Sequence, residues 1–231
     1  MRIVKNEELF PRVYKMLIIS PSAAETAVPG QFLHIRCSEG FSPLLRRPIS
    51  ISGVHTDEGT VEIIYRVVGE GTKWLSKRAP GYDLDILGPL GHGFPLPATG
   101  ANPVLVGGGL GVAPLLFLAQ RIAELRDANL SLPRACIGFS TAEEVYGVEE
   151  LKAAKFDIHV TTDDGTYGKK GFPTDLLQED IQSGDILYAC GPLPLLSKVA
   201  SIGRQRNIAA YISLEERMAC GIGACIGCSV K

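Results

Sequence analysis

Three cysteines near the end of the chain have the spacing that points most directly to chemistry. Cys220, Cys225 and Cys228 are separated by four and then two residues. Thiolates at this plant-type spacing hold the irons of a 2Fe-2S cluster, for which a fourth cysteine lies further on. Three glycines between the thiols would let the backbone curl around the cluster with its N–H groups facing the sulfurs. The segment therefore predicts a 2Fe-2S site.

The fourth ligand of such a cluster is not evident. The sequence ends at Lys231, three residues after the third thiol. Cys37, Cys136 and Cys190 fall in or beside predicted strands, so recruiting any of them would distort a sheet. We expect the fourth cysteine in a segment beyond Lys231. A structural zinc site and free thiols are the alternatives, although zinc sites more often show paired C-x2-C spacings.

A second group of residues suits a flavin dinucleotide. It comprises Arg47-Pro48-Ile49-Ser50, Tyr65-Arg66 and Gly71-Thr72. An arginine fork suits a diphosphate, a nearby hydroxyl can donate to the flavin ring, and Gly71-Thr72 would open a short helix with free N–H groups. Taken alone, Arg-Pro-x-Ser also fits a simple turn into a strand, so the prediction depends on the three pieces together.

A third group suits a nicotinamide nucleotide. Gly107, Gly108, Gly109 and Gly111 stand between a predicted strand and a helix, where glycine lets a diphosphate approach the backbone. The pattern is not G-x-G-x-x-G and lacks an acidic residue about 20 positions on, so a packing turn fits it equally well. Cys190-Gly191-Pro192 ends a later strand. Parallel sheets bind ligands at such strand ends.

The predicted secondary structure that positions these residues differs between the first hundred residues and the rest of the chain. The first hundred residues predict short strands with turns, which favour an antiparallel β-barrel or sandwich with one helical turn at Thr72 to Arg78. The predicted strands are Arg12 to Ile19, Gln31 to Cys37, Pro48 to Ser52, Val61 to Val68 and Asp83 to Leu87.

From about Pro103 strands and helices alternate, which predicts an α/β domain with a parallel sheet. Its predicted strands are Val104 to Val106, Arg134 to Phe139, Asp157 to Thr162, Asp185 to Cys190 and Ala210 to Ser213. Its predicted helices are 112–127, Glu143 to Ala153, Thr174 to Ile181 and Leu193 to Arg206. We expect domains at 1–98 and 99–212, followed by a cluster segment at 213–231.

Composition excludes several classes of protein. The chain has 231 residues, 45% of them hydrophobic and 21% charged, which is ordinary for globular domains. Lys and Arg total 23 against 25 Asp and Glu, so no strong field would attract nucleic acid or an anionic membrane. No signal peptide or membrane helix is predicted. Crowded thiols near the C-terminus favour metal ligation in a reducing compartment, hence the cytoplasm.

The order of these motifs resembles that of the ferredoxin-NADP reductase superfamily over nearly the whole chain. It comprises Pro29 to Phe32, Arg47 to Ser50, Tyr65 to Thr72 and Gly88 to Gly91. The run from Ser213 to Cys228 is similar to the hallmark of electron transfer subunits of bacterial NAD-dependent dihydroorotate dehydrogenase type B. The resemblance implies that FAD is held by Arg47 to Ser50, by Ile64, Tyr65 and Arg66, and by Gly71 and Thr72. It implies that Cys220, Cys225 and Cys228 hold the cluster; the absent fourth thiol is the departure.

The resemblance also implies an oxidoreductase subunit of pyrimidine biosynthesis. Dihydroorotate would be oxidised on an FMN-bearing partner, in a heterotetramer of two copies of each subunit. Electrons would then pass through the cluster and FAD to NAD bound along Gly107 to Pro114, with Cys190 to Pro192 near the nicotinamide. Hydride moves directly between the rings, so no catalytic acid or base is predicted, and none of the four dispersed histidines is assigned to catalysis. Ser50 would bind the flavin ring and Arg47 its diphosphate.

Nucleotide preference is expected just after Phe139. Ser140, Thr141, Glu143 and Glu144 offer no arginine for a 2'-phosphate, which favours NAD over NADP. Two alternatives to the main prediction remain. One is a reductase or diaphorase subunit of a related ferredoxin-NAD(P) oxidoreductase or hydrogenase complex, against which Cys220 argues because bifurcating relatives are expected to carry aspartate there. The other is a zinc-stabilised binding module without flavin.

Overall fold

A computed structural model describes residues 1–125 and 133–229 of the chain. The chain divides into two compact units. The first unit combines Met1–Gly93 with the described residues from Glu215 onward, and the second unit is Phe94–Leu214. The cysteine loop, residues 220–228, thus belongs to the same unit as the predicted flavin residues.

The first unit is built on an antiparallel sheet. In its described residues six strands follow the order β1-β2-β5-β4-β3-β6. They are β1 (Arg2–Phe10), β2 (Val13–Ile19), β3 (Phe32–Ile35), β4 (Arg47–His55), β5 (Thr60–Arg66) and β6 (Ile86–Leu90), with helices α1 (Pro21–Thr26) and α2 (Glu70–Ser76). The start of β1 bonds to the segment before β6, with Ile3 N donating to Tyr82 O at 3.0 Å. The two edges of the sheet meet, which confirms the predicted barrel.

Two elements of this unit were not predicted. The strand β1 carries charged residues on its exposed positions and lies at one end of the strand order, so it lacks the apolar alternation that marks a half-buried strand. The helix α1 is six residues long and starts at Pro21, which is too short for a helical period to be recognised. The helical turn predicted at Thr72 to Arg78 is present as α2, but α1 is an additional helix that was not expected.

The second unit contains the predicted parallel sheet. Six strands of the described chain follow the order β10-β9-β8-β7-β11-β12. They are β7 (Asn102–Gly108), β8 (Arg134–Phe139), β9 (Asp157–Thr162), β10 (Lys169–Lys170), β11 (Asp185–Cys190) and β12 (Ala209–Ser213). The helices are α3 (Val112–Leu125), α4 (Val148–Ala153), α5 (Pro173–Asp180) and α6 (Leu193–Arg206). The last two residues of the helix predicted over 112–127 lie outside the described residues.

Apolar side chains of neighbouring strands and helices form the core of the second unit. Val104 and Val106 of β7 are buried together with Leu187 and Ala189 of β11, and Val199 of α6 packs against them. Burial on both faces explains why these strands read as continuous apolar runs. None of the helices within 1–125 and 133–229 has the length and hydropathy needed to cross a membrane.

Candidate functional site

Arg47 and Gly71, which are distant in sequence, meet in the first unit. Arg47 opens β4 and Gly71 lies in the first turn of α2. A Cβ atom at Gly71 would stand 2.9 Å from Nε of Arg47, so a side chain at position 71 would displace the guanidinium from this place. The fold thus brings two pieces of the predicted flavin site together.

The guanidinium of Arg47 has no acidic partner among the described residues. It donates to the backbone carbonyls of Leu45 and Arg46, at 2.5 and 3.4 Å. Its neighbour Arg46 instead binds both carboxylate oxygens of Asp85, at 2.8 and 2.7 Å, and thereby lowers the pKa of Asp85. Arg47 is therefore a cation free to bind an anion such as a diphosphate, whereas Arg46 is part of the scaffold.

Ser50 also has an unused polar group. It lies in β4 opposite Phe32 of β3, is partly exposed, and its hydroxyl bonds to no residue that the structure describes. Pro48, two residues before Ser50, lies on the same face of β4 as Ser50 and is opposite His34 of β3. The hydroxyl of Ser50 is available to a ligand.

Other predicted flavin residues use their side chains within the protein. Tyr65 is buried and donates its hydroxyl to Oδ1 of Asn6 at 2.9 Å, and Ile64 is buried beside it. Thr72 Oγ1 accepts the N–H groups of Val68 and Gly69, at 3.0 and 3.3 Å, at the start of α2. These side chains already pack or form hydrogen bonds within the protein, so contacts to a cofactor would come from their backbone.

The cysteine loop favours a thiolate at its first position. Sγ of Cys220 accepts the N–H of Cys225 at 3.4 Å. This bond, the N–H of Ile222 and the thiol of Cys225 lower the pKa of Cys220 to about 6. Thiolate is the form that binds iron. The hydrogen bonds that stabilise a thiolate at Cys220 are therefore compatible with an iron site held by these sulfurs. Within 1–125 and 133–229, however, no three Cys, His, Asp or Glu side chains converge at metal-binding distance, so Cys228 does not complete a set.

The remaining cysteines are poor ligands. Burial raises the pKa of Cys37 to about 11 and that of Cys136 to about 12, and Cys190 is buried at the end of β11. Enclosed thiols of this kind are less reactive than the more exposed thiols of the cysteine loop. This is consistent with the expectation that they are not ligands of the cluster.

In the second unit the glycine loop and the Cys190-Gly191-Pro192 turn form one edge. The strands β7 and β11 are parallel neighbours, with Cys190 opposite Gly107. A Cβ at Gly111 would stand 2.3 Å from the carbonyl oxygen of Cys190, so close packing alone demands glycine there. Gly109 differs, because its φ is +52° and a Cβ would meet nothing within 4 Å. Packing therefore explains the glycine at position 111, whereas at Gly109 the space beside the backbone is open.

Gly107 and Gly108 follow the packing explanation. Added Cβ atoms would stand 2.8 Å from the side chain of Val112 and 2.9 Å from that of Leu195, respectively. Tyr146 fixes the open part of the loop, because its hydroxyl donates to the carbonyl oxygens of Gly109 and Leu110 at 3.2 and 3.1 Å.

The turn after β8 carries carboxylates. Glu143 and Glu144 lie in a 3-10 turn, Ala142–Glu144, whose first N–H is accepted by Thr166 Oγ1 at 2.8 Å. Thr166 in turn donates to Asp164 at 2.6 Å, which lowers the pKa of Asp164. This network holds negative charge in the turn after β8.

Sequence reasoning missed Asn6 and His34. Asn6 lies in the unpredicted strand β1, where no signal marked it. His34 is completely buried in β3 next to the cysteine loop. A histidine within an otherwise apolar strand was the only available sign.

Known proteins resemble this chain over nearly its whole length. No family model matches the chain. It is 44% identical over 230 residues to the dihydroorotate dehydrogenase B (NAD(+)) electron transfer subunit of Bacillus mycoides strain KBAB4, covering 99% of the chain and 86% of that protein.

Two solved structures have a similar fold. An NADH-dependent reduced ferredoxin-NADP oxidoreductase, studied for flavin-based electron bifurcation, has a TM-score of 0.85 and 30% identity over 98% of this chain and 80% of that one. The ferredoxin reductase of carbazole 1,9a-dioxygenase has a TM-score of 0.78 and 19% identity over 92% and 67%.

Proposed function

Because the chain belongs to the family of dihydroorotate dehydrogenase B electron transfer subunits, we propose that it transfers electrons to NAD in a dihydroorotate-oxidising enzyme. One observation carries this proposal: the 44% identity spans 99% of the chain, so it includes both units and the cysteine loop. When bound, FAD exchanges hydride with nicotinamide and single electrons with a 2Fe-2S cluster, which is the conversion such a subunit performs.

The residues of the first unit would bind and orient the flavin. Arg47, which has no carboxylate partner in the described chain, would pair with the diphosphate over Gly71. Ser50 would donate to the ring, and the backbone of Ile64 to Arg66 and of Gly71-Thr72 would line the cofactor. Cys220, Cys225 and Cys228 would ligate the cluster.

The residues of the second unit would bind NAD. The diphosphate would approach the backbone at Gly109, where a side chain is absent and space is open. Gly107, Gly108 and Gly111 would keep the loop packed against Cys190, Gly191 and Pro192, which would border the nicotinamide. Glu143 and Glu144 would disfavour the 2'-phosphate of NADP.

The partner would be an FMN-containing catalytic subunit, in a heterotetramer with two copies of each chain. Dihydroorotate would be oxidised on that subunit, so no residue of this chain would contact the substrate. We place the complex in the cytoplasm, where a reducing environment keeps clustered thiols available for iron.

Anaerobic co-purification tests this proposal. The full-length chain and an FMN-containing dihydroorotate dehydrogenase subunit would be co-expressed with iron and riboflavin, and NAD reduction would be followed on adding dihydroorotate. We expect a coloured complex containing FAD, FMN and iron that reduces NAD in preference to NADP. A complex without flavin in this chain, or one that ignores dihydroorotate, would overturn the proposal.

A second candidate is a reductase subunit of a ferredoxin-NAD(P) oxidoreductase. The 30% identity and TM-score of 0.85 to the NADH-dependent reduced ferredoxin-NADP oxidoreductase favour it. In the same assay this candidate predicts NAD or NADP reduction with reduced ferredoxin and none with dihydroorotate.

A further inference from the structure

The imidazole of His34 is enclosed in the first unit without a hydrogen-bond partner. The side chain is 0% exposed, and neither ring nitrogen makes a hydrogen bond of full geometry to the described residues. A neutral imidazole carries one donor and one acceptor, and leaving such groups buried and unpaired costs free energy. The two unpaired ring nitrogens make His34 a candidate for a hydrogen bond to a neighbouring group.

His34 stands between two predicted cofactor-binding segments. On one side it faces Pro48, its cross-strand partner in β4, within the run from Arg47 to Ser50. On the other side it meets the cysteine loop, because a Cβ atom at Gly221 would lie 2.6 Å from its Nδ1. The ring therefore fills the space that separates the flavin strand from the residue after Cys220.

The charges around the ring favour its neutral form. Burial, followed by the charge of Arg46, lowers the pKa of His34. The carbonyl group of Cys220 precedes Gly221 in the backbone, and a Cβ at Gly221 would stand 2.6 Å from Nδ1, so this acceptor lies near the ring. A small adjustment of the loop would bring it into hydrogen-bond geometry.

We propose that His34 is a positioning residue of the cysteine loop, donating a ring N–H to the carbonyl oxygen of Cys220 while its face packs on Gly221. Through this contact His34 holds the first thiol at a fixed place relative to the strand that carries Arg47 to Ser50. The inference deepens the proposed function and rests on it for the identity of the group that the thiols hold. Outer hydrogen bonds of this kind orient ligands and set the potential of the group that they hold.

The test compares a ring without a donor with a smaller side chain that keeps one. His34→Phe retains an aromatic ring but no donor, and His34→Asn places an amide nitrogen where Nδ1 stands. Full-length chains would be prepared anaerobically with iron, and the midpoint potential of the cluster would be measured by redox titration with electron paramagnetic resonance. We expect a more negative midpoint in His34→Phe and a value near wild type in His34→Asn.

A pair of glycine substitutions tests the same contact from the loop side. Gly221 and Gly223 have φ of +71° and +79°, so alanine is strained equally at both. An added Cβ would meet His34 at Gly221, whereas at Gly223 it would meet nothing within 4 Å. We expect Gly221→Ala to shift the potential or to lower the thermal midpoint of the apoprotein well beyond Gly223→Ala. This pair decides the question if His34→Phe does not fold.

The outcomes separate the two proposals. Normal cluster content with the same midpoint in wild type and His34→Phe, and equal effects of the two glycine substitutions, would overturn the role of His34 alone. A wild-type chain that takes up no cluster would overturn the proposed function and this inference together.

Discussion

Arg46 and Arg47 are adjacent residues with different partners, and the difference predicts different phenotypes. Arg47→Gln removes the guanidinium without breaking an ion pair in the described structure. Hydrogen bonds to charged groups contribute about 1.5–3 kcal/mol, so we expect FAD to bind roughly 10- to 100-fold more weakly. Titration of the apoprotein with FAD, followed by flavin fluorescence, measures this change.

Arg46→Gln is the matched control for that experiment. It removes the charge next to Asp85 and should lower the thermal midpoint while leaving FAD affinity near wild type. Equal loss of FAD affinity in both variants would contradict the separate roles of the two arginines.

The ion pair of Asp85 also predicts a dependence of stability on pH. The hydrogen bond to Arg46 lowers the pKa of Asp85 from 3.8, so the folded state favours the carboxylate more than the unfolded state does. The stabilisation is therefore fully present above pH 3.8 and is lost as the pH falls through the lower folded pKa. We expect wild type to be more stable than Asp85→Asn at neutral pH and the difference to shrink as the pH falls below about 4. A difference in urea midpoints that stayed constant across this range would contradict the prediction.

Residue types and spacing revealed part of the candidate site. The arginine, serine and cysteine motifs were visible because a charge, a hydroxyl and a set of thiols imply ligands by their chemistry. The different roles of Arg46 and Arg47 were not visible, because they depend on Asp85, which lies 39 residues away from Arg46. The position of His34 beside Gly221 was hidden for the same reason.

At the scale of elements, Asn6 joins β1 to the end of α2. Its Nδ2 donates to the carbonyls of Leu75 and Arg78, at 3.2 and 2.9 Å, and its Oδ1 accepts the hydroxyl of Tyr65. Asn6→Ala would remove the side-chain partner of the Arg78 carbonyl and of the Tyr65 hydroxyl, whereas the Leu75 carbonyl would keep the N–H of Arg78. Leaving such part-buried groups unpaired costs about 1–3 kcal/mol. We expect the urea midpoint to fall accordingly. In Asn6→Ala the further change Tyr65→Phe should be less harmful than in wild type, because the tyrosine hydroxyl has already lost its acceptor.

The glycine loop predicts contrasting effects at two positions. Gly111→Ala would push a Cβ into the carbonyl of Cys190, so we expect loss of folded second unit, measured by circular dichroism. Gly109→Ala adds a Cβ to open space, with backbone strain of about 1–2 kcal/mol because the φ of residue 109 is +52°. It should keep the fold and weaken NAD binding. A well-folded Gly111→Ala protein would show that the two turns can separate.

The sequence predicted best those strands and helices in which buried apolar residues recur regularly. The predicted bounds are correct for the strands β8, β9 and β11 and for the helix α6. The strands are largely apolar runs, the helix is amphipathic, and turn residues mark where each of them ends. The strand β1 was not predicted because its charged residues face solvent on both sides of the strand. The two-residue strand β10 escaped because Lys169 and Lys170 carry no apolar signal.

At the scale of the whole molecule, the chain passes from the first unit into the second and returns to the first. The second unit ends at Leu214, after its last strand β12, and the segment that follows belongs with residues 1–93. The cysteine loop is thus separated by more than a hundred residues in sequence from β3, whose His34 it contacts. Sequence order alone suggested a separate segment at 213–231, because it contains no information about this return.

Removal of the segment after Leu214 tests this organisation. The described strands of the second unit all precede Leu214, so its sheet should persist in the truncated chain. The first unit would lose the residues that cover His34, and the exposed imidazole would admit water beside β3 and β4. We expect amide hydrogen exchange in Phe32–Ile35 to accelerate roughly 10-fold, the equivalent of ~1.4 kcal/mol of local stability, while β7 and β11 exchange as in the full chain. Mass spectrometry of peptides from both chains makes the comparison, and acceleration of β7 to the same extent would show that the second unit depends on the segment for its own stability.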